Sequence, residues 1–403
     1  MKILQLTNKV PVPPRDGGSI ASYRLSLGLA QLGHEVTVLA MNTSKHFIEK
    51  DLWSPIAQES GFNLITVPVN TEISIFSALM NLLFSKLPYT ASRFLSTEYR
   101  KTLIKLLKTG DFDYVIIENL YPILYLDSIR KITNIPVIMR AHNMEHEIWQ
   151  RTADQVKGLK KKYFSVLAKR IRKLEISSLN EYDFLVPITS RDEKAFNQLG
   201  NKKPSLALPT GIVIKDICQE IEVSDVLLVA HLGALDWSPN QEGILWFLEQ
   251  VWPHVKLQYP SAEFHLAGRN APDWFIRRIN KFDISYHGEV DSADDFISDF
   301  PVHIVPLWLG SGMRIKIVEA MAQARVIVTT SIGVEGIEAT DNESIMIRDN
   351  PDEFAQALIN LHANPLLIKE ISQNAFTFVQ NHFENKKLIG DFIKFLNDHE
   401  SNN

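Results

Sequence analysis

Two doubly wound α/β domains, each a parallel sheet covered by helices on both faces, are what this sequence predicts. Three observations carry the expectation. The chain has 403 residues, more than the roughly 100–200 that one hydrophobic core usually serves. Short apolar runs alternate with longer amphipathic stretches. That alternation pauses once, at the proline-bearing polar connection Pro204–Gly211, and then resumes.

Taken in order, Lys2–Thr7 reads as a buried strand, Ser19–Leu32 as a helix and Glu35–Ala40 as the next strand, a βαβ unit. Further strands are expected at Asn63–Val67, Tyr114–Ile117, Pro136–Arg140 and Phe184–Ile188, with helices such as Thr97–Lys108 between them. A second alternation places strands at Val226–Leu232, Glu263–Ala267, Ile284–His287, His303–Leu307 and Val326–Thr329, with helices at Gln241–Gln258 and Arg314–Ala324. The expected division is therefore 1–205 and 206–380, followed by 381–403, whose helix at about Lys386–Asn397 packs back on the first domain. Open parallel sheets bind ligands beyond the carboxyl ends of their strands. Chemistry is expected in strand-to-helix loops facing a gap between the two domains.

Composition narrows the partners. With 45% apolar and 22% charged residues and a net charge of −5, the chain reads as globular, and the charge argues against nucleic acid. The single cysteine, Cys218, allows no internal disulfide and no thiolate cluster, which favours a cytoplasmic location. The apolar start is too short for a signal peptide, and no run approaches the roughly 20 apolar residues of a spanning helix. Membrane contact, at the inner face, is left to two segments. Residues 73–89 are unusually apolar for a connection, and 157–174 gather eight basic residues with Tyr163, Phe164, Leu167, Ile171 and Leu174 at roughly helical spacing. A core helix and an ordinary amphipathic helix suit the same residues.

The most informative stretch is Pro306–Ala322, where a strand runs through Gly310-Ser311-Gly312-Met313 into a helix. Free backbone amides and the positive helix end converge there, which makes an anion site. Arg314 and Lys316 in the first turn oppose the macrodipole by about 0.3–1 kcal/mol each, and a bound phosphate reverses that penalty. Glu319 follows Lys316 by three residues, the less favourable order for a helix ion pair. On this reading Arg314 and Lys316 neutralise a diphosphate, while Glu319 accepts hydrogen bonds from ribose hydroxyls.

This stretch resembles the glycine-rich loop and following helix of the family 4 retaining glycosyltransferases, whose hallmark is a glutamate, seven residues and a second glutamate. Glu319 matches the second, and Ser311 stands at the first. The form Gly-Ser-Gly-Met-Arg-Ile-Lys-Ile-Val-Glu is similar to a subgroup that lacks the first glutamate. The resemblance implies the GT-B fold, two Rossmann-like domains facing a cleft. It implies transfer of a hexose-type sugar from a UDP or GDP donor to a glycan, lipid-linked or small-molecule acceptor, in cell-envelope or polysaccharide synthesis. It further implies retention by front-side attack, with no metal or other cofactor. Donor contacts then fall to Gly310, Ser311 and the amides of Gly312 and Met313.

Other segments join under the same resemblance. Gly233, after the first strand of the second domain, allows close approach to a phosphate; relatives carry an arginine and a lysine in this region, and Arg314 and Lys316 replace them. Gly17 and Gly18, with Ser19 as N-cap, form a loop toward donor or acceptor. His142, in the stretch His142-Asn143-Met144-Glu145, touches the donor sugar or the leaving phosphate, whereas Glu145 and Arg151 read as helix-cap and surface groups. Gly268 approaches the base, and Arg269 is a phosphate contact or a solvated side chain. The expected catalytic set is His142, Arg314 and Glu319. Two alternatives stay open: a nucleotide-sugar epimerase of similar fold, and a degenerate nucleotide-binding or scaffold subunit.

Overall fold

The computed structural model describes residues 1–214, 221, 224–310 and 312–400; Cys218 and Ser311 lie outside the described residues. The chain forms two compact units, Met1–Gly211 with Asn385–Asn403, and Ile212–Glu384.

The first unit holds β1 (Lys2–Thr7), β2 (Glu35–Thr43), β3 (Asn63–Val69), β4 (Tyr114–Glu118), β5 (Val137–Arg140) and β6 (Phe184–Leu185). Around them lie α1 (Gly17–Gln31), α2 (Lys50–Glu59), α3 (Ile75–Phe84), α4 (Tyr89–Ser92), α5 (Thr97–Thr109), α6 (Leu126–Arg130), α7 (Glu145–Gln155), α8 (Gly158–Ser178) and α9 (Ser190–Gln198). The second unit holds β7 (Leu228–Leu232), β8 (Glu263–Ala267), β9 (Ser285–Gly288), β10 (Val302–Val305), β11 (Val326–Thr329) and β12 (Met346–Ile347). Its helices are α10 (Ser238–Trp246), α11 (Trp252–Gln258), α12 (Asp273–Ile279), α13 (Ala293–Ser298), α14 (Ile315–Ala322), α15 (Pro351–Ala363) and α16 (Pro365–His382), and α17 (Asn385–Glu400) closes the chain.

The sheet orders are β3-β2-β1-β4-β5-β6 and β12-β11-β10-β7-β8-β9. Counted from each unit's own first strand, both read 3-2-1-4-5-6, the doubly wound order, and the pairings are parallel. Strand order reverses between β1 and β4 and between β7 and β10, and loops diverge there to leave room for a ligand. Successive residues of a strand point to opposite faces. Ile3 and Val38 accordingly join one core cluster of the first unit, and Leu4 and Leu39 the other. The closing helix α17 returns to the first unit, where Ile389, Phe392 and Leu396 pack with Leu25 and Leu29 of α1.

Two departures from expectation fall at prolines. The single helix expected at Gln241–Gln258 is broken into α10, a wide turn over Phe247–Val251, and α11. Pro253 has no N–H to donate, and its ring crowds the carbonyl four residues back. The strand expected at Phe184–Ile188 is regular over Phe184–Leu185, but its backbone bonding beside β5 runs on as expected, through Val186 N to the Met139 carbonyl at 2.8 Å and Ile188 N to the Ala141 carbonyl at 3.0 Å. The strand expected at His303–Leu307 ends at Val305, ahead of Pro306. In contrast, β8 and β11 have the expected bounds.

Candidate active site

In the second unit the loops after β7 and β10 leave adjacent strands. Arg314 stands at the N-cap of α14, with Lys316 the second helical residue. An N-cap normally supplies a hydrogen-bond acceptor to the first-turn amides, and arginine has none. The chain reaches this point through Gly310 at φ +136° and Gly312 at φ +76°. A Cβ on Gly310 would collide with the Arg314 guanidinium. That guanidinium donates to the Gly312 carbonyl and lies 5.9 Å from the ring centroid of Trp237, which is half exposed.

Lys316 is the centre of the arrangement. Its Nζ donates to Asn240 Oδ1 at 3.0 Å and to His231 Nε2 at 3.3 Å, and a Cβ on Gly233 would sit 3.0 Å from it. His231 Nδ1 bonds the Ile304 carbonyl at 2.8 Å, so the proton is on Nδ1 and Nε2 presents a lone pair. Burial, followed by the Lys316 charge, pushes the His231 pKa well below 6.5, and the ring stays neutral. Both acceptors of Lys316 are therefore uncharged. Burial and the nearby Arg314 bring its pKa down from 10.5 to about 7. Among the described residues this ammonium is held by neutral groups, an arrangement that suits an anion, because a negative ligand favours the charged form that burial opposes.

The neighbouring residues divide between roles. A Cβ on Gly268 would collide with the Gly233 carbonyl, and Leu235 N donates to the Arg269 carbonyl at 2.9 Å. Gly268 is thus required where the loops after β7 and β8 touch. Met313, Lys316, Glu319 and Arg269 are half-buried.

In the first unit, Asp16 rather than the expected Ser19 is the N-cap of α1. The Asp16 carboxylate accepts from Ser19 N at 2.9 Å, Ser19 Oγ accepts from Asp16 N at 3.0 Å, and Lys9 Nζ lies 2.5 Å from Asp16 Oδ1. Burial alone pushes this carboxyl up, but Lys9 and the Ser19 amide hold it at about 2. Gly17 and Gly18 are the first two residues of that helix, and its amide end is met by the chain's own carboxylate.

His142 follows β5, and its Nε2 bonds Glu118 Oε2 at the end of β4. Glu118 is fully buried, and it also accepts from Gln5 Nε2 at 3.0 Å and Ser22 Oγ at 3.1 Å, with Arg140 Nε at 3.7 Å. Burial opposes its ionisation, yet His142 and Arg140 hold its pKa below 4.5. An ionised carboxylate only accepts, so His142 Nε2 carries a proton and Nδ1 is the nitrogen left for a ligand. Glu145, expected as a helix-cap or surface group, is half-buried at the start of α7 and takes a bond from Tyr121 Oη at 3.1 Å. The cap comes instead from Glu175 of α8, which accepts from Glu145 N at 2.8 Å and His146 N at 3.0 Å. Arg151 pairs at 3.5 Å with Glu147, one turn before it.

Two family descriptions match, "Glycosyltransferase Family 4" over residues 15–215 and "Glycosyl transferases group 1" over residues 226–364. The chain belongs to the family 4 glycosyltransferases. The first match contains Gly17, Gly18, Glu118 and His142, and the second contains Gly233, Trp237, Asn240, the 310–316 loop and Glu319. An uncharacterized 44.6 kDa protein in the cps region of Klebsiella pneumoniae is 26% identical over 98% of this chain and 99% of its own. Among solved structures, Anabaena HepE in complex with UDP-glucose superposes with a TM-score of 0.68 at 11% identity, covering 99% of this chain and 100% of that one. Sucrose-phosphate synthase from Thermosynechococcus elongatus gives 0.70 at 16% identity over 100% of both chains. The fold is therefore that of a GT-B glycosyltransferase.

The structure gathers Gly233, Gly268, Gly310, Gly312, Arg314 and Lys316 around the ends of β7, β8 and β10, while Gly17, Gly18 and His142 belong to the first unit. Sequence reasoning missed Glu118 and Gln5, and within the stretch 231–240 it singled out Gly233 and Trp237 rather than His231 and Asn240. The signal for Glu118 was present, since an acid closing the otherwise apolar run Tyr114–Ile117 points to a buried partner. Asn240 gave no such signal.

Proposed function

We propose that this glycosyltransferase moves a hexose-type sugar, with retention and without a metal, from a UDP or GDP donor to a glycan or lipid-linked acceptor in cell-envelope polysaccharide synthesis. The observation that carries the reading is Lys316, a lysine held by two neutral acceptors beside Arg314 and a glycine loop that opens α14. A nucleoside diphosphate supplies the missing negative charge. The UDP-glucose bound to the Anabaena neighbour and the cps-region origin of the Klebsiella relative support the choice of donor and pathway.

The difficult step is cleavage of the bond between the sugar's anomeric carbon and the diphosphate oxygen, through an oxocarbenium-like transition state. Negative charge grows on the departing oxygen. Lys316, Arg314 and the amides of Gly312 and Met313 stabilise it from fixed positions. The acceptor hydroxyl attacks on the face the diphosphate leaves, and its proton passes to the departing phosphate. Glu319 accepts from the ribose hydroxyls, Gly268 and Arg269 border the nucleotide, and His142 Nδ1 faces the donor sugar or its phosphate.

Incubating purified protein with labelled UDP- and GDP-sugars and membrane or glycan extract, with and without EDTA, tests the proposal. Transfer of label with an unchanged anomeric configuration, undiminished by EDTA, is the expected result. Ser311 at the first glutamate position favours one competitor, a subunit that binds nucleotide without transferring sugar. Intact donor after every acceptor, with UDP or GDP still bound, is that competitor's signature.

A further inference from the structure

We propose that α3, with the lysines beside it, seats the first unit on an anionic lipid bilayer. The sequence of α3, Ile-Phe-Ser-Ala-Leu-Met-Asn-Leu-Leu-Phe, has no charged residue, and none of its ten residues is buried. Ile75 is 87%, Phe76 72%, Leu83 64% and Phe84 78% exposed. Its two polar residues, Ser77 and Asn81, lie one turn apart on one face, where Asn81 bonds Ser92 and Arg170, and the rest of the surface is apolar. A large exposed apolar patch of this kind marks an interaction surface. At about 15 Å this helix is too short to span a bilayer but long enough to lie in its interface. Among the described residues, no helix is long and apolar enough to cross a membrane.

The helix is also held in place, as a presented surface must be. At its start Ser74 Oγ accepts from Ser77 N at 3.2 Å, and Ser74 N donates to Tyr89 Oη at 3.0 Å. At its end Arg170 of α8 donates to the Leu82 carbonyl at 2.7 Å and the Asn81 carbonyl at 3.1 Å. Ile75, Leu79 and Leu82 face Trp149, Tyr163 and Phe164 across an open apolar groove of about 650 Å³, which continues the apolar surface behind the helix. Phe76, Leu83 and Phe84 lie outside that lining and are exposed.

Charge selects the occupant. Lys86 follows α3, and Lys157, Lys160 and Lys162 at the start of α8 are all exposed, with Lys160 on the rim of the groove. Basic side chains bordering an interfacial apolar helix match anionic headgroups. A second copy of the chain would bring the same positive rim against itself, since a two-fold contact pairs like with like. The inference does not rest on the transfer reading, because its readout is lipid binding.

The test sediments the full chain with vesicles of phosphatidylcholine alone or mixed with equal phosphatidylglycerol. At low salt the bound fraction is expected to be about tenfold greater on the mixed vesicles and to fall as salt is added. Leu83→Glu with Phe84→Glu should abolish binding, and Lys160→Glu with Lys162→Glu should remove the lipid preference. Both pairs should leave the melting temperature and UDP or GDP affinity unchanged. Equal binding to both vesicles, or variants that bind like the parent, would overturn the proposal. So would light scattering that shows a vesicle-free dimer dispersed by Leu83→Glu.

Discussion

Glu118 and Lys316 are opposite solutions to the same difficulty, a charge taken out of water. Glu118 is surrounded by donors and by the Arg140 guanidinium, itself only 2% exposed, so its charge is matched on the spot. Removing one partner of a buried pair leaves the other uncompensated and costs about 3–5 kcal/mol. Glu118→Gln is accordingly expected to destabilise the chain by about 3 kcal/mol in urea unfolding at pH 7, and Arg140→Met added to it should restore much of the loss. Because the folded carboxyl titrates below 4.5, its contribution is present above that pH and disappears in acid. An additive double variant would show that the two groups are not coupled. Among the described residues Lys316 is held by the neutral Asn240 and His231, and on the proposed reading that residual demand for negative charge is met by the donor.

At the scale of elements, α7 shows how a helix is begun by a residue far from it in sequence. Glu175 satisfies the first amides of α7, and its charge falls beside Glu145. Burial, then Glu175, lifts the Glu145 carboxyl from 4.5 to about 7. Between those values the folded chain binds more protons than the unfolded one, so stability falls as pH rises across that window. Glu145→Gln removes the penalty. Thermal unfolding should find the variant more stable by about 3 kcal/mol at pH 8 and by less than about 1 kcal/mol at pH 5; equal effects at both pH values would contradict the assignment. None of this was visible in the sequence, where Glu145 reads as its own helix's cap. The βαβ rhythm was visible because apolar runs such as Glu263–Ala267 and Val326–Thr329 have lengths that burial between helix layers imposes. The break at Pro253 was legible only through its mechanism, since hydrophobic period alone continues across it.

For the molecule as a whole, both sheets repeat one winding order; the loops of Gly17, Gly233 and Gly310 follow the strands at its reversal points, whereas His142 and Gly268 follow the next strands out, β5 and β8. The glycine-rich segment before α14 stood out in the sequence through its composition and spacing. Its geometry came from partners 76 and 85 residues away, Asn240 and His231, that no local pattern links to Lys316. A net charge of −5 works against an anionic donor at long range, so attraction must come from these few groups. Calorimetric titration of UDP and GDP between pH 6 and pH 9 measures this most directly. One diphosphate should bind with proton uptake above pH 7, more weakly as pH rises through the lysine's value of about 7, and Lys316→Met should lose at least about tenfold in affinity together with the proton uptake. Equal affinity and equal proton exchange in parent and variant would contradict the account.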